Sequence, residues 1–257
     1  MAYHNKSIAV VIPAYNEEQS IAKVIRDIAA LREFPGTNAS DFLIDDIVVC
    51  DNGSTDDTAS EACNAGARVI YESQPGYGSA CLAAIKVLKN PDIVVFVDGD
   101  HSVKATETIS LLEEIVKNDA DLVIGSRISA KRERFSLSPQ QRFGNFLASM
   151  LIRIIWRQPV SDLGPFRAIT FSALKKLKMK DRKYGWTVEM QVKAIQQGMK
   201  IIEVPVSTLR RIGKSKISGT VRGTIGAALG IFGKIYSLYK EEKSKELKSI
   251  QFNPVKK

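Results

Sequence analysis

The chain has 257 residues, 44% of them hydrophobic and 25% charged, which excludes a disordered polymer and allows one large or two small α/β domains. No run reaches the roughly 18–20 apolar residues of a membrane span; the nearest, 223–233, lies between Arg222 and Lys234 and is too short. The net charge of +9 favours anionic partners such as nucleotide phosphates or an acidic membrane surface.

Cys50, Cys63 and Cys81 form no ligand or redox spacing, and their odd number argues against a disulfide framework, so they read as small core residues. The first residues lack a signal-peptide apolar region, which gives the expectation of a cytoplasmic protein.

Strand and helix patterns alternate from the start. Residues 8–12 read as a strand and 20–31 as an amphipathic helix with Ile21, Val24, Ile25 and Ile28 on one face. A strand at 47–50 precedes a helix at 57–65, and a short strand at 68–71 precedes a helix at 78–88. Residues 93–97 form an apolar, β-branched run with the character of a strand buried on both faces. A helix at 105–116 and a strand at 122–124 complete this half, and the alternation predicts a mostly parallel sheet with right-handed crossovers.

Beyond Arg127 the pattern changes. Residues 142–157 read as a basic amphipathic helix with Phe143, Phe146, Leu147, Met150, Leu151 and Ile154 at helical spacing. Residues 162–167 turn into a short strand, 187–197 are helical, and 201–206 form a strand that Pro205 assigns to an edge or bulge. A helix over 220–239 carries one stripe of Ile225, Leu229, Phe232, Tyr236 and Tyr239 and a second of Gly223, Gly226, Gly230 and Gly233. It reads as an interfacial helix lying on a bilayer, or as one packed on the domain or in a homo-oligomer, with 240–257 as a charged, frayed tail. The simplest division is a domain over 1–219, with a nucleotide half at 7–127 and an acceptor half at 128–219, followed by 220–257.

The chemistry gathers at strand ends. Asp98 and Asp100, separated by Gly99, follow the buried run directly and so sit at the carboxyl edge where open α/β sheets bind ligands. Two carboxylates so close repel unless a cation lies between them, and hard oxygen ligands favour Mg²⁺ or Mn²⁺ shared with a phosphate. An Asp-Gly turn closing a strand is the plainer alternative. Two further polar strand ends, 13–18 and 51–57, fall at the same edge. Their carboxylates and amides suit a base and ribose, and a helix cap is the alternative.

The ordered series VVIPAYNEE (10–18), VVCDNGSTDDT (48–58), PGYGSA (75–80), VVFVDGD (94–100) and GSR (125–127) resembles the nucleotide-sugar half of family-2 glycosyltransferases, which have the GT-A fold. The later DLGPFR (162–167), the Glu189 helix, EVPV (203–206) and RRIGKSK (210–216) resemble the branch of dolichyl-phosphate mannose synthase and polyprenyl-phosphate glucosyltransferases. The resemblance spans about 7–220 and implies an inverting transferase that uses a UDP- or GDP-sugar, a divalent cation and a polyprenyl phosphate at the cytoplasmic membrane face.

By position, it implies that Pro13, Tyr15, Glu17 and Asp51 hold the nucleoside, and that Gly76 and Gly78 admit the donor at a helix start suited to phosphate. It makes Asp98 and Asp100 the metal pair, with Arg210 or Arg211, Lys214 and Lys216 closing over the diphosphate. Arg127 and Arg142 become an acceptor-phosphate clamp; Arg132 and Arg134 read more plainly as a solvated basic loop. His101 reads as a solvated loop residue rather than a ligand.

Transfer to a sugar hydroxyl would need a carboxylate base, for which Asp162 and Glu189 are the candidates. A phosphate acceptor needs none, its second pKa being roughly 6, and both residues then read as sugar-hydroxyl or loop-orienting groups. A soluble or glycan acceptor on the same fold is the rival, and a non-catalytic nucleotide-sugar binder is the rival of another class. Nucleic acid is not an expected partner, because the basic stretches lack interleaved aromatics.

Overall fold

A computed structural model of the protein describes residues 6–33, 42–128, 139–213 and 221–252. The strands are β1 (Lys6–Ala14), β2 (Phe42–Asp51), β3 (Arg68–Tyr71), β4 (Ile93–Phe96), β5 (Leu122–Ser126), β6 (Arg167–Thr170) and β7 (Ile201–Pro205). They form one sheet in the order β3-β2-β1-β4-β6-β5-β7. All neighbours are parallel except β6, which runs antiparallel between β4 and β5. Pro205 ends the edge strand β7, where its missing N–H costs no ladder bond.

Alternation along each strand feeds two apolar layers. Ile8, Val10 and Ile12 of β1 join Ile93, Val95 and Val97 on one face, beneath α1 (Ile21–Ala29) and α4 (Thr108–Asn118). Ala9, Val11, Val94 and Phe96 point to the other, beneath α3 (Tyr77–Lys86), α6 (Phe171–Leu177) and α7 (Trp186–Gln196). There the ring of Trp186 meets Phe96 edge-on at 6.0 Å. A helix α2 (Thr58–Asn64) links β2 and β3. A third cluster joins Ala148 and Ile152 of α5 (Pro139–Trp156) to Val188 and Val192 of α7 and to Ile235 and Leu238 of α8 (Val221–Phe252).

Three expectations are revised. Helix α6 has no counterpart in the sequence reading; Thr170 caps it by accepting from the Ala173 amide at 3.3 Å. Helix α8 continues to Phe252 instead of fraying at 240, and Glu242 fixes its later turns by accepting from Trp156 Nε1 at 2.5 Å and Gln196 Nε2 at 3.1 Å. Cys50 and Cys81 are buried as expected, but Cys63 is exposed. Among the described residues no helix is long and apolar enough to cross a membrane.

Candidate functional site

The ends of β1, β2 and β4 converge at one edge. Pro13 is buried opposite Cys50, and Ala14 stands in register with Asp51. Beyond them the chain turns through Asn16, whose positive φ of 53° suits an asparagine side chain that bonds locally. The two loops are stitched together: Asn16 N donates to Ser54 Oγ at 2.9 Å, Thr55 N to Asn16 Oδ1 at 2.8 Å, and Glu17 N to Thr58 Oγ1 at 2.7 Å. Asp51 is buried and accepts from the Ser54 amide at 3.1 Å, while Tyr15 is exposed beside it.

Asp98 and Asp100 stand at the end of β4, Asp100 buried and Asp98 half-buried. Burial and the neighbouring Asp100 charge push the Asp98 carboxyl up to about 7, against the Tyr77 hydrogen bond and the positive charges of Arg127 and Arg211. Tyr77 Oη donates to Asp98 Oδ1 at 3.1 Å. Asp100 Oδ2 lies 2.8 Å from Arg211 Nη2, which also stands 3.8 Å from Glu17 Oε1. Of the two arginines, Arg211 therefore faces the acids, while Arg210 is exposed. Lys214, Lys216, Arg132 and Arg134 lie outside the described residues.

His101 is not solvated: its Nε2 is 2.9 Å from Asp27 Oδ2 of α1, and its side chain is 12% exposed. The ring thus ties the turn after Asp100 to a helix.

The two candidate bases are already engaged. Asp162 is fully buried; its Oδ2 accepts from Arg127 N at 2.8 Å and Nε at 2.9 Å, and its Oδ1 from Arg127 Nη2 at 2.7 Å. Burial alone would raise its pKa, but this fork holds it below the usual carboxylate range. Glu189 Oε1 pairs with Lys193 Nζ at 2.8 Å, and its Oε2 accepts the amides of Lys180 and Asp181 at 2.9 and 2.6 Å. It orients a loop, one of the three roles open to it in the sequence, beside base and sugar-hydroxyl group.

That loop explains the two site glycines differently from the sequence reading. A Cβ on Gly76 would sit 2.0 Å from the Arg182 carbonyl oxygen, and one on Gly78 2.1 Å from that of Asp181. The close approach is to the chain's own backbone. The Ser79 amide at the start of α3 likewise donates to Arg182 O at 3.0 Å, so a protein carbonyl takes part of the helix end assigned to phosphate.

The family model described as glycosyl transferase family 2 matches residues 9–178. The chain belongs to glycosyl transferase family 2. An uncharacterised glycosyltransferase of Mycobacterium tuberculosis is 38% identical over 232 residues, 90% of this chain and 98% of that protein. A dolichyl-phosphate hexose transferase of Haloferax volcanii is 29% identical over 229 residues, 89% of this chain and 92% of its own. Among solved structures, glucosyl-3-phosphoglycerate synthase from Mycobacterium tuberculosis, in complex with Mn²⁺, UDP and phosphoglyceric acid, superposes with a TM-score of 0.70 at 22% identity. That match covers 91% of this chain and 79% of the other. The seven-stranded sheet is the GT-A fold of this class of transferase.

Within this glycosyltransferase the expected residues Glu17, Asp98, Asp100 and Arg211 meet at one point, with Arg127 near enough to act on Asp98. Arg142 is exposed on α5. Several supporting residues escaped the sequence reading. Tyr77 holds Asp98, and its place between the two site glycines was the signal. Asn145 Oδ1 accepts from Leu163 N at 3.0 Å, and Glu203 accepts from Ser161 N at 2.9 Å and from its hydroxyl, so both pin the turn that carries Asp162. Arg167 is fully buried, and burial lowers its pKa to about 10; it donates to the Gly164 and Thr187 carbonyls, each at 2.7 Å.

Part of the apolar stripe of each long helix faces outward, while Phe232 of the α8 stripe packs against the third cluster. Phe143, Phe146 and Ile154 of α5 and Leu229 and Tyr236 of α8 are exposed, whereas Ile152, Ile235 and Leu238 supply the packing. Of the glycine stripe of α8, Gly226 and Gly230 pack against Tyr184 of the domain, while among the described residues nothing stands within 4 Å of a Cβ on Gly233. A Cβ on Gly230 would lie 3.3 Å from Tyr184 Cβ, and Lys234 Nζ pairs with Asp181 Oδ2 at 3.0 Å.

Proposed function

We propose that this glycosyltransferase is metal-dependent and inverting, and that it moves a sugar from a UDP- or GDP-sugar to a polyprenyl phosphate at the cytoplasmic face of a membrane. The observation that carries the acceptor class is the engagement of both candidate bases. Asp162 is forked to Arg127, and Glu189 is bound to Lys193 and two loop amides. A sugar hydroxyl needs a carboxylate to take its proton. A phosphate monoester is already ionised near neutrality, with a second pKa of roughly 6, and is its own nucleophile.

The acidic pair fits a divalent cation. Both ligands are hard carboxylate oxygens, and their mutual repulsion is relieved by positive charge. Among the described residues no group of three His, Cys, Asp or Glu side chains forms a metal cage, so Asp98 and Asp100 would share the ion with donor phosphate oxygens. When bound, the ion neutralises charge that builds on the departing nucleoside diphosphate. A protein of the same fold holds Mn²⁺ together with UDP, which supports a cation shared with a nucleotide diphosphate.

The chain's own groups do the rest. Pro13, Tyr15, Glu17 and Asp51 hold the nucleoside at the β1–β2 edge. Arg211 stabilises the leaving diphosphate more as its charge grows, which lowers the barrier and not merely the binding energy. Arg127, with Nε and Nη2 fixed by Asp162, presents its remaining Nη1 to the acceptor phosphate. Arg142 meets the lipid headgroup beside the outward rings of Phe143 and Phe146. The dolichyl-phosphate hexose transferase relative supports a lipid-phosphate acceptor.

A donor screen tests the reading: UDP- and GDP-sugars, with and without polyprenyl phosphate, in Mg²⁺, Mn²⁺ or chelator. Transfer should require both lipid phosphate and cation, and Asp100→Asn should abolish it in a folded protein. Preference for a soluble acceptor would replace the lipid reading with the soluble-acceptor one, and full activity in chelator would remove the cation.

A further inference from the structure

Resting on the cation and donor reading above, one contact goes further. Arg211 is not a stray surface side chain. Its segment lies antiparallel to the turn after β4: Val103 bridges Thr208, Leu209 N donates to Ser102 O at 2.9 Å, and Ile212 N donates to Asp100 O at 3.0 Å. The backbone of the acidic turn therefore places the guanidinium, with Nη2 2.8 Å from Asp100 Oδ2 and 3.8 Å from Glu17 Oε1. A divalent ion on Asp100 would sit about 2.0–2.1 Å from a carboxylate oxygen if it were Mg²⁺. Two positive centres held that close to one carboxylate repel.

A second observation says where the guanidinium is incomplete. Arg211 Nε is buried and has no hydrogen-bond partner among the described residues. Arginine recognises phosphate through two parallel N–H donors, so a diphosphate would satisfy the group that the carboxylate contact leaves bare.

We propose that Arg211 is a built-in counter-ion for the acidic pair, which holds a divalent cation off Asp100 until a donor diphosphate draws the guanidinium away, so that cation and donor load together. The gain is a site that does not fill with metal in the absence of nucleotide. Cation and donor then show positive coupling that passes through one side chain, and by linkage each raises the other's affinity by the same factor.

The test is binding, not turnover. Mn²⁺ affinity is measured by electron paramagnetic resonance of the free ion, on nucleotide-free protein and with saturating UDP, with GDP as a parallel series. Arg211→Ala should bind Mn²⁺ about tenfold more tightly without nucleotide, and UDP about tenfold more weakly at saturating Mn²⁺, the scale of one lost charge-assisted contact. Arg210→Ala removes the same charge one residue away and should leave the nucleotide-free Mn²⁺ affinity within about threefold. Arg211→Gln supplies the same measurement should the alanine variant unfold. Unchanged or weaker Mn²⁺ binding by the nucleotide-free Arg211 variants, in a protein whose wild type binds Mn²⁺ with UDP, overturns the counter-ion role alone. Absence of Mn²⁺ binding by the wild type even with UDP or GDP overturns this proposal together with the metal reading on which it rests.

Discussion

Gly78 and Asp181, 103 residues apart in the chain, are in backbone contact: a Cβ on Gly78 would lie 2.1 Å from the Asp181 carbonyl oxygen and 2.8 Å from its carbon. The start of α3 is thereby seated on the loop before α7, and that loop is itself held by Glu189 and by Lys234 of α8. The sheet edge proposed for the donor is thereby mechanically joined to the C-terminal helix.

Gly78→Ala therefore forces backbone apart, since no flexible side chain can yield. Overpacking of this kind costs about 1–3 kcal/mol, and the urea unfolding midpoint should fall accordingly. Nucleotide affinity should fall with it, because α3 can relieve the clash only by moving at the donor edge. A variant with an unchanged midpoint would show that the 181–182 backbone shifts at no cost.

Glu189 separates an anchor from a base. Glu189→Gln keeps one acceptor oxygen for the loop amides but loses the Lys193 pair, so stability should drop by about 1–3 kcal/mol while transfer stays within roughly tenfold of wild type. Glu189→Ala leaves two amides unmatched and Lys193 with the Lys178 carbonyl in place of a counter-charge, and should cost about 3–5 kcal/mol. A loss of kcat of about a thousandfold in the Gln variant, with an unshifted unfolding midpoint, would assign Glu189 to proton transfer instead.

Much of this was legible in the sequence, for physical reasons. The β1 and β4 runs announce buried strands, and an acid pair after such a run has to stand at the sheet edge. The choice between Arg210 and Arg211 was not legible, because it depends on the antiparallel bridge of Val103 to Thr208. The 180–185 loop left no local pattern, since its partners Gly76 and Gly78 lie a hundred residues earlier. Helix α6 was missed because it is one short piece that ends in Lys178 at φ 48° instead of at a glycine. The apolar stripe of α5 shows in the sequence, but spacing alone does not say that Phe143 and Phe146 turn outward while Ala148 and Ile152 pack inward.

The Asp162–Arg127 fork gives a pH signature with a definite sign. The folded carboxyl lies below its ordinary value, so the unfolded chain takes up the proton first as pH falls. The stabilisation is fully present above the unfolded pKa of about 3.9 and is lost as pH falls through the lower folded pKa. Asp162→Asn should be less stable than wild type at pH 7 by about 3–5 kcal/mol, the cost of breaking a buried pair. The gap between the two proteins should narrow as pH falls below about 4, by the part of it that the lowered Asp162 pKa carries. Parallel urea titrations at neutral and acid pH read that difference directly, and a gap that does not change with pH would mean the fork contributes no charge-dependent stability.

The membrane surface needs a test other than removal of α8. Ile235 and Leu238 belong to the apolar cluster with α5 and α7, and Lys234 pairs with Asp181, so truncation before Val221 would strip packing and loosen the donor-side loop as well. Substitution of the outward residues avoids this. Phe143→Ser, Phe146→Ser, Leu229→Ser and Tyr236→Ser together remove large apolar groups that are already exposed, so the fold should lose little. If these stripes enter the lipid interface, each buried side chain contributes about 1.5–3 kcal/mol to docking. The fourfold variant should then lose at least about a hundredfold in affinity for vesicles containing anionic lipid. Its nucleotide affinity should stay at the wild-type value, because none of the four residues touches the β1–β2 edge or the acidic pair. Equal sedimentation of variant and wild type with such vesicles would remove α5 and α8 from the membrane reading.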